Sequence, residues 1–129
     1  MPKPAPNSLA LGLDFGTTNT VIAMSTDATT AQVLPFTLEG ETHPTFRSAM
    51  CFWEEDTDAA QDLRFEAGPW AIERFIDDPS DCRFLQSFKT FAASKSFTET
   101  HIHGKKFTFE SLLTAFIERM RTHAGPALV

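Results

Sequence analysis

The stretch Leu11-Gly12-Leu13-Asp14-Phe15-Gly16-Thr17-Thr18-Asn19-Thr20 decides how the rest of the chain is read. A strand-like apolar run ends in an acid and a glycine, and three small hydroxyl or amide side chains follow. Leu9, Leu11 and Leu13 alternate with smaller residues, and Val21, Ile22, Ala23 and Met24 resume an extended pattern, so the polar residues form the turn of a β-hairpin. Gly16 allows a positive φ at the tip, where successive backbone N–H groups can converge on an anion. Thr17, Thr18 and Asn19 add side-chain donors, and Asp14 offers a hard oxygen to a hydrated Mg²⁺. Such a turn suits the phosphates of a nucleotide, although glycine, asparagine and threonine also build ordinary turns.

Two other phosphate motifs are excluded. The sequence has no G-x-x-x-x-G-K-[ST], and Asp14-Phe15-Gly16 is not a protein-kinase magnesium motif, because no glycine-rich loop or H-R-D segment precedes it. The net charge of −6 supplies no basic patch for nucleic acid or an anionic membrane. An acidic chain that binds a nucleotide needs a metal ion and local donors to offset repulsion. Cys51 and Cys82 are too few for a disulfide framework and form no Cys-x-x-Cys pair, which suits a reduced, cytoplasmic setting. Residues 1–8 hold one lysine and three prolines without an apolar core, so they read as a flexible arm and not a signal peptide.

Beyond the hairpin, residues 32–36 predict a short edge strand carrying Pro35, followed by a loop at Gly40 and a strand over residues 48–53. The acidic residues 54–62 lack apolar periodicity and predict a solvated loop. Pro69 suits a helix start, and Ala71, Ile72, Phe75 and Ile76 recur at helical spacing until Asp77-Asp78-Pro79 stops the helix, one face of which packs inward. Phe84, Leu85, Phe88 and Phe91 then form an apolar stripe at helical spacing around Lys89, a lysine that on composition alone would snorkel to solvent. Gly104 predicts a hairpin turn, Thr108 an N-cap, and Leu112, Leu113, Phe116, Ile117 and Met120 one helix face. Arg119, Arg121 and His123 fall near that helix's C-terminus, which Gly125-Pro126 marks; the apolar Ala127-Leu128-Val129 then reads as the start of a truncated strand. His101 and His103 share a strand face without a third ligand, so they read as surface histidines, and Trp53 and Trp70 as packing aromatics.

The decapeptide 11–20 resembles the first phosphate-binding motif of the seventy-kilodalton heat-shock chaperones (heat shock protein 70, DnaK-like), within the actin, hexokinase and sugar-kinase superfamily. Sugar kinases carry a similar Asp-x-Gly-Thr-Thr, so later segments must choose. Gly68-Pro69-Trp70-Ala71, Pro79 and Lys89 follow the order of a Gly-x-x-Ala helix start, a proline and a lysine in the chaperones. Gly104-Lys105 with Phe107-Thr108-Phe109-Glu110 is similar to their glycine-lysine turn before an apolar helix. The sequence departs from them at Phe91-Ala92-Ala93, where a Leu/Met-Gly pair is usual, and at Phe109, where proline is common.

The resemblance implies an α/β fold, a partial actin-like (ribonuclease H-like) ATPase domain with an N-terminal β-hairpin sheet lobe and a small α+β lobe. Residues 9–129 would be the N-terminal part of a chaperone-type nucleotide-binding domain, with the phosphate loop at 11–20, the small lobe at about 45–123, and exposed edges where further structure packs. It implies ATP and Mg²⁺ as cofactors: Asp14 positions the hydrated cation, Gly16, Thr17, Thr18 and Asn19 hold the β- and γ-phosphates, and Lys89 orients the attacking water. The longer protein would be an ATP hydrolase whose partners are the nucleotide, unfolded polypeptide clients and co-chaperones, while these 129 residues are inactive alone. Two alternatives stay open: a non-catalytic interaction or structural module, and a fragment of a small-molecule kinase.

Overall fold

Alternation of Leu11, Leu13 and Phe15 with small residues yields β1 (Ala10–Phe15), antiparallel to β2 (Asn19–Ser25) with Phe15 opposite Thr20 and Ala10 opposite Ser25. The computed structural model describes residues 10–27, 29–56, 61–94 and 99–128, with 126–128 as backbone only. The arm 1–8, Leu9 and Val129 lie outside the described residues. On the other side of β2, β3 (Gln32–Val33) pairs with Ala23 and Met24, and the Leu34 N–H donates to the Ile22 carbonyl at 2.9 Å. The strand expected over 32–36 ends there, because Pro35 has no N–H to extend the ladder. Phe36 instead opens a separate hairpin, β4 (Phe36–Leu38) with β5 (Glu41–His43), turned by Glu39 and Gly40, both at positive φ. The chain returns through β6 (Phe46–Arg47), placing Arg47 opposite Asn19 and Phe46 opposite Thr20.

A second sheet has the order β8-β7-β9, from β7 (Ala49–Asp56), β8 (Gln61–Ala67) and β9 (Arg83–Gln86). Its central strand is buried on both faces: Met50 and Phe52 enter the main core, and Cys51 and Trp53 a second cluster against Ala71. The acidic residues 54–62 are not simply a loop. Glu54, Glu55 and Asp56 pair with Leu63, Asp62 and Gln61, since a ladder needs only backbone groups and Arg64 lies 3.6 Å from Glu55 and 3.8 Å from Asp62. Residues 57–60 lie outside the described residues.

Helix α1 (Gly68–Asp77) starts at Gly68 with φ +61, and a Cβ there would stand 2.5 Å from the buried ring of Phe46. Only glycine meets both demands. Ala71 and Phe75, four residues apart, carry the inward stripe, and Phe75 stacks on Phe84 at 4.7 Å. Ile76, about 100° further round, is 70% exposed and does not join that stripe.

The stripe expected around Lys89 is not one helix. Phe84 and Leu85 are neighbours in β9, so their side chains fall on opposite faces of the sheet, one in each cluster. Ser87, at φ +55, then turns the chain into the short helix α2 (Thr90–Ala93). Two buried faces at adjacent strand positions produce the same apolar density as a helical stripe.

The hairpin of β10 (Thr100–Ile102) and β11 (Lys105–Phe107) turns at His103-Gly104, both at positive φ. His103 is therefore a turn residue, not a strand mate of His101: it meets Glu54 at 3.0 Å, whereas His101 meets Glu99 at 3.6 Å. Helix α3 (Phe109–Leu128) opens with a reciprocal cap in which the Ser111 N–H donates to the Thr108 hydroxyl (3.1 Å) and the Thr108 N–H to the Ser111 hydroxyl (2.8 Å). The helix continues through Gly125 and Pro126 instead of giving way to a strand, because a proline removes its own N–H but leaves later residues free to donate. Arg119, Arg121 and His123 thus lie well inside it.

Phe116 sits at the centre of the core, 5.7, 5.4 and 5.3 Å from the rings of Phe15, Phe46 and Phe88. The opening sheet and the later α+β section share this one cluster, which runs from Ile22 and Phe36 to Ile102 and Ala124. The architecture is mixed α/β. Every strand pair among the described residues is antiparallel, both the hairpins joined by short turns and the longer-connected pairs β2–β6 and β7–β9. Among the described residues β1 pairs only with β2, and its Leu11 and Leu13 are 54% and 49% exposed. No described helix is long and apolar enough to cross a membrane.

Candidate functional site

The turn between β1 and β2 has Thr17 and Thr18 at its tip, closed by a 3.0 Å bond from the Gly16 N–H to the Asn19 carbonyl. Thr17, Thr18 and Asn19 are exposed, and among the described residues the Thr17 and Thr18 N–H groups have no backbone acceptor. Gly16 does not adopt the positive φ expected of it. Its requirement is close approach, since a Cβ would meet the Asn19 carbonyl oxygen at 2.5 Å, and its own N–H is engaged in the turn and not offered outward. The backbone donors left at the tip are those of Thr17 and Thr18.

The carbonyls of this segment are drawn away from the tip. The Ser48 hydroxyl donates to the Gly16 carbonyl at 2.7 Å and the Ser48 N–H to the Thr18 carbonyl at 2.8 Å. The buried Thr20 hydroxyl lies 2.8 Å from Ser48 Oγ. A hydroxyl has one proton, and that of Ser48 goes to Gly16, so Thr20 donates into Ser48 and the three groups form a directed chain. Thr45 Oγ1 donates to Asn19 Oδ1 at 3.4 Å, the long limit of a hydrogen bond.

Lys89 reaches the same segment from 74 residues away, its Nζ donating to the Phe15 carbonyl at 2.8 Å and lying 5.7 Å from the Phe15 ring centre. The packing that aims it is explicit. Phe88 is fully buried, 5.5 Å from Phe15, and the Ser87 carbonyl accepts from the Thr90 N–H (3.1 Å) and hydroxyl (2.9 Å), which fixes Lys89 between them. Ser87 holds its left-handed backbone at a cost of about 1–2 kcal/mol. Asp14 is exposed on β1, and among the described residues its carboxylate makes no ion pair or hydrogen bond, with Lys89 or otherwise.

The structure thus brings Gly16, Thr17, Thr18, Asn19 and Lys89 to one segment, with Asp14 on the strand leading into it. Among the described residues no group of three or more His, Cys, Asp or Glu side chains could hold a metal ion. Asp14 belongs to no such group. The sequence reading missed Ser48, Thr20, Thr45 and Arg47. A small hydroxyl within an apolar strand (Thr20 in β2) and one directly before an apolar strand (Ser48 before β7) were the available signal. Arg47, opposite Asn19 across the ladder, makes no ion pair among the described residues and lines a concavity of about 370 Å³ with Asn19, Thr45, Ile72, Glu73 and Ile76. Desolvation there, then the neighbouring Glu39 and Asp77 carboxylates, raise the pKa of Glu73. Comparison with protein-family models, curated proteins and solved structures finds no match to the chain.

Proposed function

We propose that the chain supplies one wall of an Mg-ATP site, as the N-terminal portion of a DnaK-like, actin-type ATPase. The observation that carries this reading is the 2.8 Å contact of Lys89 Nζ with the Phe15 carbonyl, directly before a turn whose free donors face outward. The Thr17 and Thr18 amides and the Thr17, Thr18 and Asn19 side chains would hold the β- and γ-phosphates, and Asp14 would contact the hydrated cation. The bound nucleotide and Mg²⁺ supply the phosphoryl group and its charge neutralisation. Lys89, released from Phe15, stabilises charge on the terminal phosphoryl oxygens and orients water, since phosphoryl transfer depends chiefly on positioning and electrostatics. In a longer protein such hydrolysis would drive a conformational cycle on unfolded polypeptides with co-chaperones.

One wall gives weak affinity. Equilibrium dialysis of these 129 residues should detect magnesium-dependent ATP binding in the millimolar range without turnover, weakened by Asp14→Ala and by Lys89→Ala. Micromolar affinity with turnover would contradict the one-wall reading, and binding indifferent to both substitutions would contradict the assignment. A second reading, a non-catalytic interaction module, is favoured by the same lysine's engagement with Phe15: there Lys89 is a strut, and Lys89→Ala lowers stability while any ATP binding persists.

A further inference from the structure

Among the described residues, four of the five carbonyls from Phe15 to Asn19 accept hydrogen bonds, from Lys89 Nζ, Ser48 Oγ, Ser48 N and Gly16 N in that order along the chain, with Thr17 the one without. Ser48 alone supplies two of the four. It is 1% exposed, as is Thr20 behind it, and these two are the buried polar side chains of the described core. A turn that accepts an anion must keep its carbonyl dipoles away from the ligand and its N–H dipoles toward it, because an outward carbonyl repels the charge an amide attracts. Gly16 O and Thr18 O flank the tip, and both accept from one buried residue, Ser48, at the bend between β6 and β7.

We propose that Ser48 is a positioning residue for the anion-binding turn: by holding the Gly16 and Thr18 carbonyls, it keeps the two that flank the tip from competing with the Thr17 and Thr18 N–H groups for an anion. The inference rests on the phosphate reading of the turn for its ligand, but not for its geometry. The Thr20 hydroxyl polarises the Ser48 hydroxyl by donating to it, which strengthens the bond to Gly16. The backbone bond from Ser48 to Thr18 survives substitution of the side chain, so Ser48→Ala releases only the Gly16 side of the tip.

The test uses the full chain, Ser48→Ala, the slightly larger Ser48→Cys with its weaker donor, and Ile102→Val as a core truncation that leaves the turn untouched. Two readouts are taken on each: Mg-ATP affinity, and backbone ¹⁵N relaxation of Thr17 and Thr18 without ligand. The expected result is a roughly tenfold loss of affinity for Ser48→Ala, a smaller loss for Ser48→Cys, and a rise in fast tip motion in the same order, with Ile102→Val like wild type on both. Tip order and affinity unchanged in both Ser48 variants overturn the proposal. Should Ser48→Ala not fold, Ser48→Cys against Ile102→Val decides. Should the wild type bind no Mg-ATP, the phosphate reading fails, and the relaxation data alone judge Ser48: a loosened tip supports its positioning role and an unchanged tip refutes it.

Discussion

Replacing Gly16 by alanine tests the account of the turn at one atom. The added Cβ would stand 2.5 Å from the Asn19 carbonyl oxygen, whereas ordinary contact begins at 3.4 Å, so the turn must open by 0.9 Å. At that displacement the 3.0 Å bond from Gly16 to Asn19 is lost, at about 0.5–1.5 kcal/mol. The shifted Gly16 carbonyl also leaves the buried Ser48 hydroxyl short of its acceptor, at about 1–3 kcal/mol. Alanine restricts the unfolded chain and returns about 0.4–1 kcal/mol. The net loss is about 1–4 kcal/mol, read by urea unfolding with the fluorescence of Trp53 and Trp70. Gly12→Ala is the matched control: its Cβ meets nothing within 4 Å, so its stability should stay within about 1 kcal/mol of wild type. Equal midpoints for the two variants, with equal slopes, would refute the close-approach argument.

Three further outcomes follow from the same contacts. Phe116→Ala empties the meeting point of three rings and should cost about 3–5 kcal/mol in the same unfolding experiment; a loss below about 1 kcal/mol would remove Phe116 from the centre of the core. The Thr29 N–H, then the Thr30 N–H and both hydroxyls, hold the Asp27 pKa down at about 2, so an NMR carboxyl titration should find its midpoint there and not at 3.8. A depressed acid stabilises the fold above its unfolded pKa, so this contribution is full above pH 4 and fades toward pH 2. Burial, and then the adjacent Cys82 thiol, push Cys51 up to about 12, so alkylation at pH 8 should leave Cys51 untouched in the folded protein. Because that pKa is raised, the associated stability is present below pH 9 and is lost as pH climbs toward 12.

Features written in local chemistry were legible in the sequence. The Gly16-Thr17-Thr18 turn, the Gly68-Pro69 helix start, the Thr108 cap and the 112/116/120 stripe each rest on one propensity rule acting within a few residues. Features set by tertiary pairing were not. Phe84 and Leu85 read as a helical stripe because β9 buries both faces, a fact that belongs to α1 and α3 and not to the segment itself. Gly16 was assigned to conformational freedom when the Asn19 carbonyl, three residues on, sets the requirement. Ser48 and Arg47 lie about thirty residues from the turn they border, and nothing in their own neighbourhood announces that pairing. Lys89 was picked out through its likeness to a family motif, and the packing of Phe88 on Phe15 is the physical route by which it arrives.

The most direct test of the central claim is a titration of the ¹⁵N-labelled chain with Mg-ATP, followed by amide chemical shifts and the Lys89 side-chain signal. The account predicts that the Thr17 and Thr18 amides move most, and that Lys89 moves with them as its bond to Phe15 is exchanged for phosphate oxygens. Shifts that spare this turn and Lys89, or that gather elsewhere on the surface, would contradict it.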